Sequence, residues 1–208
     1  MKLLSVAFAI VLLMQPTVAT AGAPADQVRK TVDQLLTILN DPQLKGERKK
    51  DERREKLRRV IYQRFDFAEM ARRSLGPHWR RLSPEQQKEF IKLFTGLLEE
   101  AYLDKIESYN GERVQFIKER VDGNYAEVDT KIIGRGQEFL VDYRLHNVNG
   151  DWRVYDVIIE YVSLVNNYRA QFNRILASSS FDELLERMKE KNFKRAGTGS
   201  EEAPATSS

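Results

Sequence analysis

The sequence predicts an α+β fold in which helices wrap a curved antiparallel sheet of about four strands and form a cone-like apolar pocket. Three observations support this prediction. Apolar residues recur at helical spacing in the first half of the chain, the period falls to about two after Gly111, and helical spacing returns near residue 163. Helices and strands that are segregated along a chain, rather than alternating, are typical of this fold class.

The first three predicted helices are short or of ordinary length. The first begins near Val28 and ends before Pro42, because proline interrupts the apolar repeat there. The second includes the highly charged residues 45–59, and the third covers residues 66–75 and ends at Gly76.

The fourth predicted helix is the longest amphipathic element. Ser83, Pro84 and Gln86 stand at the spacing of a capping box with proline at the first helical position. The apolar stripe that follows continues for more than four turns and ends near Gly111.

Four strand-like runs follow, separated by turns at residues 122–124, 134–136 and 149–150. In the third run, alternate residues from Phe139 to Leu145 are apolar, whereas the residues between them are mostly polar, which predicts one dry and one wet face. In the fourth run, the same alternation places Asp156 on one face with Trp152, Val154 and Ile158. Helices are expected again at residues 163–176 and 181–192.

The two ends of the chain predict export and a single domain. Lys2 precedes an apolar run that ends at Leu13, and small residues follow at positions 19–21, as in a cleavable signal peptide. We expect a signal peptide at 1–21, one domain at 22–195 and a disordered tail at 196–208. Since no later segment reaches the length of a membrane span, and there is no cysteine for a lipid anchor, the mature protein is predicted to be soluble in the periplasm.

The charge balance argues against a nucleic-acid partner. The chain has 34 basic and 31 acidic side chains, a formal net charge of +3. Residues 45–59 are locally basic, and two interpretations stay open. The segment is either a solvated helix with i,i+4 ion pairs such as Glu52 with Lys56, or a docking patch for an acidic partner or anionic lipid.

Residues with the spacing of a catalytic or metal site are missing from the sequence, so we predict no catalytic residue and no metal. His78 and His146 lie far apart, and His146 is expected to be solvated. Asp156 is the one acid predicted to be buried, and its expected structural role is to bond the backbone or Arg169 at the corner between strand and helix. The alternative is a cone-shaped enzyme that uses Asp156 as its base.

Two long segments carry a family resemblance. VYDVIIEYVSLVNNYRAQF, which ends at Phe172, and FDFAEMARRSLGPHWRRLSPEQQKEF, which begins at Phe65, resemble the MlaC family of periplasmic phospholipid-binding, or toluene-tolerance, proteins. The resemblance extends over about residues 27–191. The chain departs from the family pattern at Tyr161, where glycine is usual.

The resemblance implies a carrier that moves glycerophospholipid between an outer-membrane lipoprotein complex and an inner-membrane ABC transporter, docking transiently on each and maintaining outer-membrane lipid asymmetry. It implies no cofactor other than the lipid cargo, whose acyl chains lie inside the cone while the headgroup stays in solvent. A protein-interaction module with a filled core is a further alternative. The candidate lipid-binding residues are Phe67, Met70, Trp79, Phe94, Leu97, Leu98, Tyr102, Phe116, Val128, Ile132, Phe139, Val141, Tyr143, Val154, Ile158, Val162 and Val165.

Overall fold

A computed structural model describes residues 23–134 and 136–190 of the chain. The predicted signal peptide and the predicted tail lie outside these residues. The helices are α1 (Pro24–Asn40), α2 (Lys50–Arg64), α3 (Phe67–Leu75), α4 (Pro84–Glu107), α5 (Leu164–Leu176) and α6 (Phe181–Lys189). The strands are β1 (Arg113–Asp122), β2 (Tyr125–Ile133), β3 (Glu138–Val148), β4 (Asp151–Ile159) and β5 (Val162–Ser163).

The helix starts are determined by local sequence. The predicted capping box of α4 is confirmed, since Ser83 Oγ accepts from the Gln86 backbone N–H at 3.2 Å and Gln86 Oε1 accepts from the Ser83 N–H at 3.0 Å. Asp66 caps α3 by accepting from the Glu69 N–H at 2.9 Å. These side chains occupy backbone donors that no residue of the helix itself can pair.

The five strands form one antiparallel sheet in the order β1-β2-β3-β4-β5. The predicted meander is confirmed, and the short strand β5 adds to the four predicted strands. β5 pairs with the end of β4 through a two-residue turn in which Glu160 and Tyr161 have φ values of 47° and 67°. Left-handed conformations at both central residues are the geometry of the type I′ hairpin turn.

A β-bulge at Tyr155 interrupts the alternation of β4. Val154 pairs with Leu145 but Asp156 pairs with Arg144, so Tyr155 is an extra residue opposite the regular strand β3. After the bulge the apolar face receives Val157, whereas Asp156 points to the opposite face. The prediction that Asp156 and Ile158 share a face with Trp152 and Val154 is therefore wrong, because strict alternation does not survive an inserted residue.

A second bulge lies at Ile117 in β1, between the pairs Phe116 with Thr130 and Lys118 with Asp129. It turns Glu119 toward the apolar face, where its carboxylate accepts from the backbone N–H of Ala25 at 2.5 Å. A carboxylate at the first turn of α1 satisfies an unpaired donor and opposes the positive end of the helix dipole. The bulge thereby fixes α1 over the sheet.

The hydrophobic core has two parts. The sheet cluster contains the apolar face of the sheet with Val28 of α1 and Leu164 of α5, and the helix cluster contains the facing sides of α3, α4, α5 and α6. Phe65 and Tyr102 pack against both clusters. Phe65 also bridges Val154 at the edge of β4, so the helical layer is attached to the sheet at this edge.

Candidate functional site

The two buried clusters, together with the residues packed against them, contain all but three of the candidate lipid-binding residues. Those in the sheet cluster, or packed against it, are Phe116, Val128, Ile132, Val141, Tyr143 and Val154. Those in the helix cluster, or packed against it, are Phe67, Met70, Trp79, Phe94, Leu97, Leu98 and Val165. Tyr102 packs against both clusters, so it lies at the boundary between the two halves of the candidate site.

Three candidates lie elsewhere. Ile158 is buried but points to the opposite face of the sheet, because it follows the bulge and pairs with Asp142. Phe139 and Val162 are 42% and 54% exposed, and Tyr161 beside Val162 is 81% exposed. Phe139 pairs with Ile132 at the end of the sheet where β3 begins, so it belongs to an apolar rim rather than to the interior.

Three polar side chains beside the apolar clusters, Tyr102, Thr130 and Tyr143, carry hydroxyl groups that are uncharged at neutral pH. Burial raises the pKa of the Tyr143 phenol to about 12, and it also raises the pKa of Tyr102. Thr130 is fully buried on the same face, and its hydroxyl donates to the Val141 carbonyl at 2.5 Å. These three side chains therefore place no buried charge on the apolar face.

An open cleft of about 360 Å³ lies where α1 passes over the start of β1. Its apolar wall is formed by Val32, Leu36, Val114 and Phe116, together with Tyr109 and Gly111 from the connection between α4 and β1. Four charged residues line the same cleft, namely Arg29, Asp33, Glu112 and Arg113. Sequence reasoning missed these four, because only the packing of α1 on β1 brings them together.

Asp156 has a structural setting at the corner between β4 and α5. Its carboxylate accepts from the Ser163 hydroxyl at 2.6 Å and from the Val165 N–H at 3.1 Å, and Arg144 Nη1 lies 3.5 Å from its Oδ2. The predicted pairing of Asp156 with the backbone is confirmed. A catalytic base in the cone would have to face the apolar interior, and Asp156 faces away from it. This geometry disfavours the enzyme alternative.

Among the described residues, Arg169 does not make the predicted pair with Asp156. Within the residues that the structure describes, its Nε donates to the backbone carbonyl of Arg73 at 2.9 Å, and its side chain runs beside Gly76. The prediction is wrong because Arg169 lies on the side of α5 that meets α3. Its contact satisfies a carbonyl in the last turn of α3.

A row of alternating charge crosses the opposite, wet face of the sheet. Arg120, Glu127, Arg144 and Asp156 are successive register partners on β1 to β4. Burial raises the pKa of Glu127, but hydrogen bonds and charge from Arg120 and Arg144 outweigh it and hold that pKa below its usual range. Cross-strand pairs of this kind fix the register of the sheet.

Helix α3 is fastened to the wet face at two points. Asp66 Oδ2 lies 3.0 Å from His146 Nε2, and the guanidinium of Arg73 stacks 4.0 Å from the centre of the Tyr155 ring. The expectation that His146 is solvated is wrong, because α3 reaches over the edge strand and half-buries it. The bulge residue Tyr155 thus also serves as a platform for α3.

The basic segment 45–59 is largely paired within the chain. Lys56 and Glu52 form the predicted i,i+4 pair at 3.3 Å. Arg53 and Arg54 both bind Glu107 of α4, at 2.8 and 2.6 Å, and Arg58 binds Glu99 at 3.1 Å. Much of the positive charge therefore joins α2 to α4, which sequence spacing could not show.

Neither a metal site nor a membrane-spanning helix is found in the part of the chain described. Across residues 23–134 and 136–190, no group of three or more potential ligand side chains is arranged to hold a metal ion. Within the same ranges, no helix combines the length and apolar character needed to cross a bilayer.

Comparison with known proteins gives matches over most of the chain. The model of the family described as MlaC protein matches residues 29–190. The chain is 23% identical over 184 residues to the intermembrane phospholipid transport system binding protein MlaC of Haemophilus influenzae, covering 86% of each chain. It is 30% identical over 95 residues to the toluene tolerance protein ttg2D of Pseudomonas putida, covering 45% of this chain and 44% of the relative.

A solved structure shares the fold. The phospholipid-binding protein of Ralstonia solanacearum, solved in complex with a phospholipid, superposes with a TM-score of 0.74 at 26% sequence identity. The match covers 84% of this chain and 99% of that chain.

Proposed function

The chain belongs to the MlaC family, and from that membership we propose that it binds a glycerophospholipid in its apolar interior and carries it between membranes. The observation that supports this most directly is the division of the core into a sheet cluster and a helix cluster that meet at Phe65 and Tyr102. Acyl chains would enter between the two clusters, with the strand ends near Ile132 and Phe139 as the mouth. The phospholipid is the cargo rather than a cofactor.

The comparisons support this proposal on independent grounds. The Ralstonia protein of the same fold was solved with a phospholipid, and the Haemophilus relative is named as the binding protein of an intermembrane phospholipid transport system. Both matches extend over more than four-fifths of this chain. The proposed lipid-binding domain therefore corresponds to most of the length of these relatives.

Hydrophobic free energy explains why such a lipid needs a carrier. At ~0.8 kcal/mol per buried CH₂ group, two chains of about sixteen carbons correspond to roughly 25 kcal/mol. A lipid held this strongly does not dissociate into water on a useful timescale. Release requires a docked partner that offers an equally dry site.

We infer that the partners are an inner-membrane ABC transporter complex and an outer-membrane lipoprotein complex, with transient docking on each. The proposal places the protein in the periplasm, with residues 1–21 removed as a signal peptide, residues 22–195 as the lipid-binding domain and residues 196–208 as a tail. The name of the Haemophilus system supports membrane partners in general. Charge reversal at the exposed residues Lys45 and Arg48, followed by binding assays on both complexes, tests whether segment 45–59 is the docking surface.

The segment around the end of α3 is the proposed gate. Gly76 ends α3 with φ 56° and ψ −126°, a conformation that residues with a side chain rarely adopt, and a 3₁₀ helix (Gly76–Arg81) follows. A rotation there would move Phe67 and Trp79 away from the helix cluster.

Lipid transfer between vesicles tests the proposed function. Donor vesicles carry a fluorescent phospholipid at a quenching density, and acceptor vesicles carry none. We expect the mature protein to accelerate transfer in proportion to its concentration. A rate equal to that without protein would contradict the proposal.

A further inference from the structure

We propose that the cleft between α1 and β1 recognises the headgroup of a zwitterionic glycerophospholipid, in which a phosphodiester is linked to an ammonium group. This inference rests on the proposed function and adds a preference among lipids. The four charged residues of the cleft are two cations, Arg29 and Arg113, and two carboxylates, Asp33 and Glu112. Their formal charges cancel, as do those of a zwitterionic headgroup.

The cleft borders the sheet cluster. Val32 and Phe116 line the cleft, and both also pack against the sheet cluster. Val114, on the same wall, pairs with Ile132 of the neighbouring strand. An acyl chain lying along this wall would end at the cleft, so the phosphate attached to its glycerol would meet the charged residues at the rim.

The two arginines are suited to bind the phosphate. Among the residues described, neither Arg29 nor Arg113 takes part in an ion pair within the chain, although most arginines of α2 do. The guanidinium of Arg29 lies 4.0 Å from the centre of the Phe116 ring, and this stacking holds it at the rim. An arginine presents paired N–H donors whose spacing matches two phosphate oxygens.

The two carboxylates of the cleft are suited to bind the ammonium group. Asp33 lies one helical turn after Arg29 on α1, and Glu112 precedes Arg113. Glu112 is fixed in place because its Oε2 accepts from the Asn110 N–H at 2.6 Å. An ammonium group would interact favourably with both carboxylates, whereas an anionic headgroup without an ammonium group would be repelled by them.

Competition between two lipids tests this assignment. The mature protein is incubated with vesicles of equimolar phosphatidylethanolamine and phosphatidylglycerol, and the lipid that it extracts is quantified by mass spectrometry. We expect the wild type to enrich phosphatidylethanolamine about threefold, the size typical of exposed charge interactions. Asp33→Asn combined with Glu112→Gln should return the ratio to that of the vesicles while total lipid per protein stays unchanged.

A variant that lacks both arginines tests the phosphate-binding part of the site, and two variants elsewhere on β1 serve as controls. Arg29→Gln combined with Arg113→Gln should lower the retention of both lipids about threefold on transfer to lipid-free acceptors. Lys118→Gln and Asp122→Asn change exposed charges toward the other end of β1 and should behave as the wild type. A wild type that takes up lipid in the vesicle ratio, with variants that do the same, would overturn the headgroup assignment and leave the carrier function standing. A wild type that extracts no lipid would overturn the carrier function itself.

Discussion

Arg144 and Asp156 are register partners on β3 and β4, and Arg144 Nη1 lies 3.5 Å from Asp156 Oδ2. The same carboxylate accepts from Ser163 and from the N–H of Val165 in the first turn of α5. The pair therefore connects the charged row on the sheet to the helix that follows it. This arrangement explains why a nearly fully buried acid is retained away from the candidate binding site.

Removing this carboxylate should destabilise the fold. Asp156→Ala leaves the Val165 N–H and the Ser163 hydroxyl without their acceptor and removes one of the two carboxylates beside Arg144, which is expected to lower the free energy of unfolding by about 2–4 kcal/mol. The melting temperature should fall by about 5–15 °C. Calorimetry measures this change, with the exposed turn variant Asp122→Ala as control. Equal stability of Asp156→Ala and wild type would show that the corner does not depend on the carboxylate.

Acid should weaken helix α3 through Glu69, whose ion pairs lie within the helix. Burial raises the pKa of Glu69, but hydrogen bonds from Arg72 and Arg73 at 2.6 and 2.7 Å, with their charges, outweigh it and leave the pKa below its ordinary value of 4.5. Because the folded pKa is the lower one, this stabilisation is present above about pH 4.5 and is lost as the pH falls through the folded value.

Unfolding in denaturant at pH 7, 5, 4 and 3 measures this loss. Glu69→Gln should show a smaller loss of stability across the acid range than the wild type. Glu55→Gln, which removes an exposed partner of Arg59, serves as control and should keep the wild-type slope. An unchanged acid-side slope in Glu69→Gln would contradict the assignment.

Two neighbouring residues on opposite faces of β2 test where the acyl chains lie. Ile132 packs against the sheet cluster and Ile133 does not. Ile132→Glu places a carboxylate in the proposed path of the lipid and should reduce lipid occupancy more than tenfold, since a buried charge costs several kcal/mol. Ile133→Glu should retain lipid. Native mass spectrometry of both variants gives the occupancy, and equal occupancy would exclude this wall of the sheet as the binding surface.

The backbone conformation of Tyr161 is predicted to lower the free energy of unfolding. Its φ is 67° and its side chain is 81% exposed, so it has a left-handed backbone with little burial in compensation. Tyr161→Gly should raise the free energy of unfolding by about 1 kcal/mol, or about 2–4 °C in melting temperature. Tyr161→Ala keeps the Cβ atom and should give no gain. A loss of stability in the glycine variant would show that the exposed ring makes a stabilising contact.

Much of the fold could be predicted because its determinants are local. The capping box at Ser83, the proline after α1 and the change of period after Gly111 each depend on a few neighbouring residues, and the structure contains all three features. The glycine that the resemblance predicts at position 161 would also have a local cause, because both residues of the turn adopt positive φ.

The features that could not be predicted from the sequence depend on tertiary contacts. A bulge at Tyr155 reverses the faces of Asp156 and Ile158, and no periodicity within β4 indicates where an extra residue stands. The partners of Arg169 and His146 lie in α3 and at its N-cap, about 80 to 100 residues away in sequence. The charged cleft was missed for the same reason, since Arg29 and Arg113 are brought together by the packing of α1 on β1.

The central claim is that the interior between the two clusters holds a phospholipid, and native mass spectrometry of the purified mature protein tests it most directly. We expect a mass above that of the polypeptide, and organic extraction should release a stoichiometric diacyl phospholipid. A mass equal to the bare polypeptide, from protein that also takes up no lipid when mixed with vesicles, would contradict the claim. That result would mean that the side chains of the two clusters fill the interior themselves.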